Sequence, residues 1–225
     1  MKHIVPDMVE VPRGIIRLRD DRLKRSWEVK LQPFRLARYP VTQELYQAVT
    51  GHNPSKHPGV GRPVESVSWL EAVAFCNELS LRANLSPAYE LLGADIGAIL
   101  VDGSIGYRLP TEAEWEFACK AGVESPRYGE LDHIAWYKGN SGGHPHEVGL
   151  KRPNEWGLHE MLGNVWEWCF DQYDPQVYGP YRIFRGGGWA DEDRGCLATN
   201  RRRSHPTFSI DDVGFRLAQS RSSAA

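Results

Sequence analysis

Two acidic residues flank a turn in the stretch 157–168, and their spacing could create a site for a hard cation. Gly163 and Asn164 form a turn pair, because asparagine tolerates left-handed backbone conformations that most residues avoid. Such a turn can bring the carboxylates of Glu160 and Glu167 onto one point, together with carbonyl oxygens that lie between them. Oxygen ligands of this kind suit calcium. The alternative is two solvated glutamates beside an aromatic core segment, which composition alone slightly favours.

A second chemically rich segment runs from Trp189 to His205, where an acidic run precedes the basic triplet 201–203. Charges of both signs beside an indole suit a peptide or a polar small molecule, since charge pairing orients a ligand and the ring supplies contact area. Equally, the two charge runs could pair with each other on the surface. The residues predicted to contact a ligand are Trp189, Asp191, Glu192, Arg194, Asn200, Arg201 and Arg203.

Histidines offer a third candidate site. His144 and His146 lie on either side of a proline, and His159 follows them, so an iron or zinc centre of the multi-histidine kind is conceivable. A proline between two histidines in a glycine-rich loop is, however, common surface composition, and no residue stands out as the third ligand. We therefore favour ordinary loop histidines.

Length and charge restrict the function classes. The 225 residues suffice for one large domain, here taken as 1–225 with a core at about 8–217, and the net charge of −2 gives no general attraction to nucleic acid or membranes. The amino-terminal residues lack an apolar core of signal-peptide length, and no segment is long enough to span a bilayer, so the expected location is cytoplasmic. The cysteines form no CxxC pair, and most are expected to be buried, reduced thiols.

Four motifs and a closing tripeptide complete a family pattern. In order they are Pro63–Trp69, Tyr107–Glu116, Gly157–Trp168, Arg185–Trp189 (Arg-Gly-Gly-Gly-Trp) and Gly214–Arg216. Together they resemble the formylglycine-generating enzyme family, also called the sulfatase-modifying-factor domain, from about Met8 to Leu217. The resemblance implies an α+β, C-type-lectin-like fold, low in regular secondary structure, with short helices around a small, mostly antiparallel sheet. One fold hosts many functions, so the resemblance indicates fold more strongly than activity.

The resemblance also implies a structural calcium ion. Matched residue by residue, its ligands are the side chains of Glu160 and Glu167 and the carbonyl oxygens of Gly163 and Val165. The family more often has asparagine or aspartate at the first of these positions. A second family calcium site would use Asn140 and neighbouring carbonyls.

The resemblance breaks where the family binds copper. Formylglycine-generating enzymes hold one copper(I) ion between two cysteines five residues apart, and this ion handles oxygen while a substrate cysteine is oxidised. The second cysteine matches Cys196, but the first matches Asp191, and Gly188 replaces the serine of the motif. A carboxylate is a hard ligand that suits copper(I) poorly. We therefore expect no copper, and Cys196, although a catalytic candidate, is expected to be a small buried apolar residue.

The matches and mismatches with the family pattern lead to two main functional hypotheses. The first is a divergent or non-catalytic, calcium-stabilised module that binds a protein, a peptide or a small polar ligand in a groove around residues 189–205, the segment that lines the ligand groove in this fold. The alternative is an oxidoreductase of the family, with altered metal chemistry, acting on a peptide cysteine or another substrate. A third, weaker hypothesis is a maturation factor for another protein. Neither nucleic acid nor a membrane is an expected partner.

Helix signals are the clearest local predictions. A short helix is predicted to open at 40–42 and to end at Gly51. Ser68 and Glu71 have the spacing of a capping box, and the segment 111–114 repeats that pattern at the start of another helix.

Strand signals are weaker. Alternation predicts a strand at 27–31, with a continuation at 34–39, and short strands at 181–184 and 213–217. The segment 84–106 fits a hairpin or a broken helix, and 122–154 is a long irregular stretch of the kind that usually has a function or is held by an ion. The tail 219–225 is predicted to be disordered.

Overall fold

The computed structural model describes residues 5–93 and 97–221 of the chain. Short helices and small sheets are joined by long loops, which is the predicted α+β class. The strands are β1 (Met8–Val11), β2 (Gly14–Asp20), β3 (Arg25–Leu31), β4 (Phe34–Ala37), β5 (Tyr89–Leu91), β6 (Ala98–Leu100), β7 (Tyr107–Arg108), β8 (Trp166–Gln172), β9 (Arg182–Arg185), β10 (Arg202–Ser204), β11 (Val213–Phe215) and β12 (Ala218–Ser220). The helices are α1 (Gln43–Thr50), α2 (Trp69–Arg82), α3 (Glu112–Lys120), α4 (Leu131–Ile134) and α5 (Pro175–Tyr178), with one 3₁₀ turn at Asp193–Gly195.

Two four-stranded sheets carry the fold. The first has the order β1-β4-β12-β7 and is antiparallel throughout. The second has the order β10-β9-β8-β11, in which β11 pairs with β8 in parallel. Strand β8 is therefore central, and Trp166 through Cys169 are buried on both faces. A strand buried on both faces shows no alternation of apolar and polar residues, so periodicity does not predict β8.

Capping boxes start the two helices that the sequence predicted. At α2 the Ser68 hydroxyl accepts a hydrogen bond from the backbone N–H of Glu71 at 3.2 Å, and the Glu71 carboxylate accepts one from the Ser68 N–H at 2.8 Å. Thr111 and Glu114 make the same pair of bonds at α3. Helix α1 ends at Gly51, which has a left-handed φ of 84°. All three helix predictions are confirmed.

Buried indoles fix the loops that join these elements. Trp69 donates its Nε1–H to the carbonyl of Cys169 at 2.9 Å, and Trp168 donates to the carbonyl of Val67 at 2.9 Å. Each bond links residues about 100 positions apart. Because a buried N–H without a partner is costly, these contacts hold irregular backbone in one conformation.

The carboxyl-terminal prediction needs a correction. Gln219 and Ser220 belong to β12, so the predicted disorder from residue 219 is wrong at these two positions. The backbone of β12 pairs with β4 and β7, and the Gln219 amide donates to the carbonyl of Ile105 at 2.8 Å. Residues 222–225 of the predicted tail lie outside the described residues.

Other segments add to the sequence predictions. The strand predictions at 27–31 and 181–184 correspond to β3 and β9, and 34–39 contains β4, which pairs with β1 and β12. The segment 84–106 forms the β5–β6 hairpin, with 94–96 outside the described residues. Strand β11 lies within the predicted strand 213–217, whereas β1, β2, β7, β8 and β10 had no prediction. No helix among the described residues has both the length and the apolar character needed to cross a membrane.

Candidate ligand cleft and acidic core

Three successive arginines at β10 point to alternate sides of the strand. The guanidinium of Arg202 lies 3.0 Å from Asp191 Oδ1 and 4.7 Å from the centre of the Trp166 ring. Arg201 and Arg203 instead both lie 4.6 Å from the Tyr173 ring centre, on the opposite side. Successive side chains of a strand point to opposite faces. Arg202 is therefore the arginine that pairs with Asp191, although only its two neighbours were predicted to contact a ligand.

Asp191 holds the loop after β9 in place. Its Oδ2 accepts hydrogen bonds from Trp166 Nε1 at 2.6 Å and from the backbone N–H of Gly188 at 3.0 Å, while Oδ1 accepts the bond from Arg202. The side chain is 11% exposed. The carboxylate therefore serves as a brace between the loop and β10, and its charge already has a partner.

A cleft of about 360 Å³ opens beside this brace. Its lining residues are Asp191, Glu192, Arg194, Gly195, Asn200, Arg201 and Arg202. Five of the seven predicted ligand residues are among them. Trp189 is not, because its indole donates to the carbonyl of Asp211 at 2.9 Å. Arg203 is also outside the lining, because the alternation of β10 turns it onto the Tyr178 ring, 3.7 Å from the ring centre.

The acids of this cleft have partners, whereas one of its bases has none. Glu192 pairs with Lys138 at 2.6 Å, and Arg201, 9% exposed, bonds both oxygens of Glu112. Within residues 5–93 and 97–221, the exposed side chain of Arg194 makes no ion pair. The cleft therefore presents a cation that an anionic group can pair with.

Cys196 lies behind the cleft and is fully buried. Burial, followed by the nearby charge of Asp191, raises the pKa of its thiol to about 12. A Cβ built on Gly187 would approach its Sγ to 2.8 Å, so the sulfur fits tightly under the glycine turn. A protonated, enclosed thiol is a poor nucleophile, which agrees with the predicted apolar role.

Beside Asp191 lies a second carboxyl group, on Asp212, that sequence reasoning missed. Burial raises its pKa to about 6, and repulsion from Asp191 and Asp211 adds to the rise. A Cβ on Gly188 would lie 3.1 Å from the Cβ of Asp212, so little space remains between this residue and the loop after β9. Only the tertiary structure reveals this proximity, because 21 positions separate Asp191 and Asp212.

Glu167, one of the predicted calcium ligands, faces an arginine. Arg216 donates to Glu167 Oε1 at 2.8 Å through Nη2 and to Oε2 at 3.0 Å through Nε, and Trp115 Nε1 donates to Oε2 at 2.7 Å. The guanidinium also donates to the carbonyls of His159 and Glu160. The positive charge at this point is thus supplied by a side chain of the chain itself.

Glu160, the second predicted carboxylate ligand of calcium, is also engaged within the protein. The Glu160 carboxylate accepts the backbone N–H groups of Gly149 at 3.0 Å and Lys151 at 3.2 Å, and burial raises its pKa. Gly163 is confined by φ of 75° and by the carbonyl of Trp136, which a Cβ would approach to 2.4 Å. Val165 is buried in the core.

Asn140 braces a turn instead of facing a common metal point. Its Oδ1 accepts from the N–H of Tyr137 at 3.0 Å, and its Nδ2 donates to the carbonyl of Ala135 at 3.1 Å. Across residues 5–93 and 97–221, no three His, Cys, Asp or Glu side chains gather in a way that could hold a metal ion. In this arrangement the two predicted carboxylate ligands already have partners, a guanidinium at Glu167 and two loop amides at Glu160, so neither presents a free carboxylate to a hard dication.

The loop histidines pack against rings. His146 stacks on Trp136 with ring centres 3.8 Å apart, and His144 lies 4.6 Å from His146. Burial lowers the pKa of His146. His159 contacts Tyr39 at 5.0 Å, so the three histidines serve as packing partners.

Comparisons with known proteins agree with this architecture. The family described as sulfatase-modifying factor enzyme 1-like domain matches residues 1–221. The chain belongs to this family. The fold is the formylglycine-generating-enzyme-like, C-type-lectin-like fold that the sequence predicted, and variable protein 1 of Treponema denticola has the same fold, with a TM-score of 0.86, 34% identity and 95% of each chain covered.

Two relatives of known sequence have different names. Chaperone protein LppX of Paenibacillus barcinonensis is 35% identical over 198 residues, which cover 72% of this chain and 71% of LppX. The formylglycine-generating enzyme of Streptomyces coelicolor is 34% identical over 146 residues, which cover 50% of this chain and 46% of the enzyme. The match with the enzyme thus spans less than half of its length.

Proposed function

We propose that this domain is a non-catalytic binding module, and that the cleft beside the bonded pair of Asp191 and Arg202 binds a protein, a peptide or a small polar ligand. The observation that carries this proposal is the brace at Asp191. Where the resemblance places a copper-binding thiol, this chain has a carboxylate that bonds Trp166, Gly188 and Arg202. The geometry supports a fixed loop beside an open cleft better than it supports a redox centre.

The charges of the cleft indicate which ligand group it would accept. Arg194 is exposed and Arg202 is 55% exposed, while Asp191 bonds Arg202 and Glu192 forms an exposed pair with Lys138. A carboxylate or phosphate of the ligand could therefore pair with Arg194 and accept a hydrogen bond from the exposed part of the Arg202 guanidinium. Such contacts orient a ligand, while the Asn200 amide holds the loop by donating to the carbonyls of Arg194 and Gly195 at 2.7 and 2.9 Å.

The name of one relative supports a protein or peptide ligand. LppX is called a chaperone protein, and this chain covers 71% of it at 35% identity. The alternative function, an oxidoreductase with altered metal chemistry, is supported by the 34% identity with a formylglycine-generating enzyme. The buried, protonated thiol of Cys196 weighs against that alternative.

An array of peptides that carry aspartate or glutamate tests the binding proposal, with the matching asparagine and glutamine peptides as controls. We expect wild-type protein to bind a subset of the acidic peptides and the Arg194→Ala variant to lose that binding. The matched control is Arg13→Ala, which removes an exposed arginine elsewhere on the surface. Binding that Arg194→Ala leaves intact, or that the amide peptides share, would refute the assignment of this cleft.

A separate assay addresses catalysis. Purified protein, supplied with copper(I), oxygen and a Cys-x-Pro-x-Arg peptide, should leave the peptide cysteine unchanged in a mass spectrum. Conversion of that cysteine to the aldehyde over repeated turnovers would establish the oxidoreductase alternative instead.

A further inference from the structure

A larger cleft lies on the other side of Arg201. It occupies about 760 Å³ between the β2–β3 hairpin, the first turn of α3 and the segment 171–177, and we call it the hairpin cleft. Arg201 lines both this cleft and the smaller one beside Asp191. A volume of this size lies within the range of ligand-binding cavities in proteins.

One wall of the hairpin cleft, on the side of the β2–β3 hairpin, is apolar. Leu18, Trp27 and Val29 form the hairpin side. At the mouth, Leu23 is 41% exposed and Val177 is 60% exposed. Apolar residues that stay exposed around a concavity are a common feature of binding sites, because a ligand can cover them. This wall suits the carbon stem of a ligand.

The carboxylates that line the cleft differ in their partners. Glu112 bonds Arg201, and Asp174 pairs with Arg22 at 2.8 Å. Asp171 has no such arginine contact within residues 5–93 and 97–221, where its carboxylate accepts one hydrogen bond, from the backbone N–H of Glu112 at 2.6 Å. Asp171 is therefore the one lining carboxylate of the described residues whose charge lacks a bonded cation.

The buried arginine Arg182 makes no hydrogen bond to Asp171. Arg182 donates to the carbonyl of Phe170 at 2.7 Å, and its guanidinium stacks on Trp69 at 3.9 Å from the ring centre. Its Nε makes no hydrogen bond with any described residue. Burial raises the pKa of Asp171 to about 6, so the group is an anion at neutral pH. A partly buried anion of this kind is stabilised by a cation that can reach it.

We propose that the hairpin cleft binds a cationic group carried on an apolar stem, with Asp171 as its anchor. The ammonium group of the ligand would form a charge-assisted hydrogen bond with the free oxygen of Asp171. Its stem would lie against Trp27 and Val29, as the carbon chains of lysine and arginine lie on apolar surfaces. Both a lysine side chain of another protein and a free arylalkylamine have this chemistry. The site is independent of the function proposed for the Asp191 cleft.

Two matched probes test this site: phenylbutylamine, which has the cationic head, and phenylbutanol, which has the same stem and a neutral head. Binding is measured by amide chemical-shift changes in two-dimensional NMR. We expect the amine to shift residues of the hairpin and of the segment 171–177, with the alcohol at least about tenfold weaker. A blocked lysine, with acetyl and methylamide ends, distinguishes a protein side chain from a free arylalkylamine as the natural occupant.

The variant Asp171→Asn removes the charge while its amide oxygen can still accept from Glu112. The matched control is Asp174→Asn, which alters a lining carboxylate that already has Arg22 as partner. We expect the first variant to weaken amine binding at least about tenfold and the second to leave it nearly unchanged. Equal effects of the two variants, equal affinity for amine and alcohol, or no shifts with either probe would overturn the proposal.

A pH series on wild-type protein tests the role of Asp171 in amine binding without any substitution. Amine affinity should fall as the pH drops below about 6, because Asp171 becomes neutral. The other charged groups facing the cleft are Glu112, Asp174, Arg25 and Arg201, and none of its lining residues within the described ranges is a histidine. An amine affinity that stays constant between pH 5 and pH 7.5 (about the range over which such a carboxyl titrates) would exclude Asp171 as the anchor.

Discussion

The guanidinium of Arg216 lies 2.8 Å from Glu167 Oε1, and these two side chains are 0% and 1% exposed. The same guanidinium donates to the carbonyls of Ala37 and Arg38 at 2.8 and 2.7 Å. One arginine therefore joins the end of β4 and the start of β8 around a buried carboxylate. Several charge-assisted bonds in one enclosed place make this ion pair a centre of the fold.

Breaking this pair should destabilise the protein strongly. Glu167→Gln keeps the shape of the side chain but leaves Arg216 buried without a counter-charge, so we expect a loss of about 3–5 kcal/mol in the free energy of unfolding. Urea denaturation measures the loss. The control Glu78→Gln breaks the exposed pair between Glu78 and Arg82 and should cost no more than about 0.5 kcal/mol. Similar costs for both variants would contradict the central role of Arg216.

Calcium provides a separate test of the same residues. Because Arg216 already neutralises Glu167, we expect the melting temperature of the wild type to be equal with calcium and with a chelator. A cation bound only by the folded state would raise the melting temperature with its concentration. Such a rise, abolished in Glu167→Gln, would restore the calcium site that the family resemblance predicts.

Asp212 should make stability depend on pH. Its pKa rises from 3.8 to about 6 on folding, so the folded state binds the proton more tightly and loses stability as the pH rises from about 4 to about 6. Asp212→Asn removes this loss. For a fully buried group, a pKa rise of this size corresponds to about 3 kcal/mol of lost stability at neutral pH. Because water reaches part of Asp212, we expect a smaller effect. The variant should gain about 1–2 kcal/mol in the free energy of unfolding at neutral pH and nothing at about pH 3.5. Asp21→Asn, at an exposed position in the β2–β3 turn, is the control, and a gain that does not vary with pH would contradict the assignment.

The cysteines should resist alkylation in the folded protein. All four thiols are buried, and the pKa of Cys196 is raised to about 12. Little thiolate therefore forms at about pH 8, a pH at which an ordinary exposed thiol is partly ionised. Iodoacetamide should label none of the four in native protein and all four in denaturant, as counted by intact mass. A single rapid adduct at Cys196 under native conditions would show that this thiol is accessible.

Restoring the missing thiol should restore metal affinity. Asp191→Cys places a second sulfur five residues before Cys196, which is the spacing that the family resemblance associates with copper(I). We expect this variant to take one copper(I) ion from a coloured chelator, whereas wild type and Asp191→Ala take none. The alanine variant controls for loss of the bonds to Trp166 and Arg202. Equal uptake by wild type would place redox metal chemistry in this domain as it stands.

Local signals in the sequence predicted the parts of the fold that depend on local contacts. The pair Ser68 and Glu71 predicted α2, and the segment 111–114 predicted α3, because a capping box needs residues only three positions apart. The partner of Glu167 could not be found this way. Arg216 lies 49 positions away, and the parallel pairing of β11 with β8 is what brings the two residues together.

The candidate cleft was predicted in position but not in all its residues. The charged segment 189–205 contains the lining, yet the sequence favoured Arg203 over Arg202. Strand β10 has only three residues, which are too few to show an alternating pattern. The sequence therefore could not show which of its side chains point towards the cleft. The raised pKa of Asp212 was equally hidden, because its causes are burial and the two neighbouring carboxylates.

The alternating arginines at β10 limit how this surface can evolve. Replacing Glu192 or Arg194 changes what the cleft offers to a ligand while the brace at Asp191 persists. Inserting or deleting one residue between Cys196 and Arg202 would instead exchange the two sides of β10, and the arginine that holds Asp191 would turn towards the tyrosines. New specificities should therefore arise here through substitutions at constant loop length, and natural relatives with the same brace should differ in side chains more than in spacing.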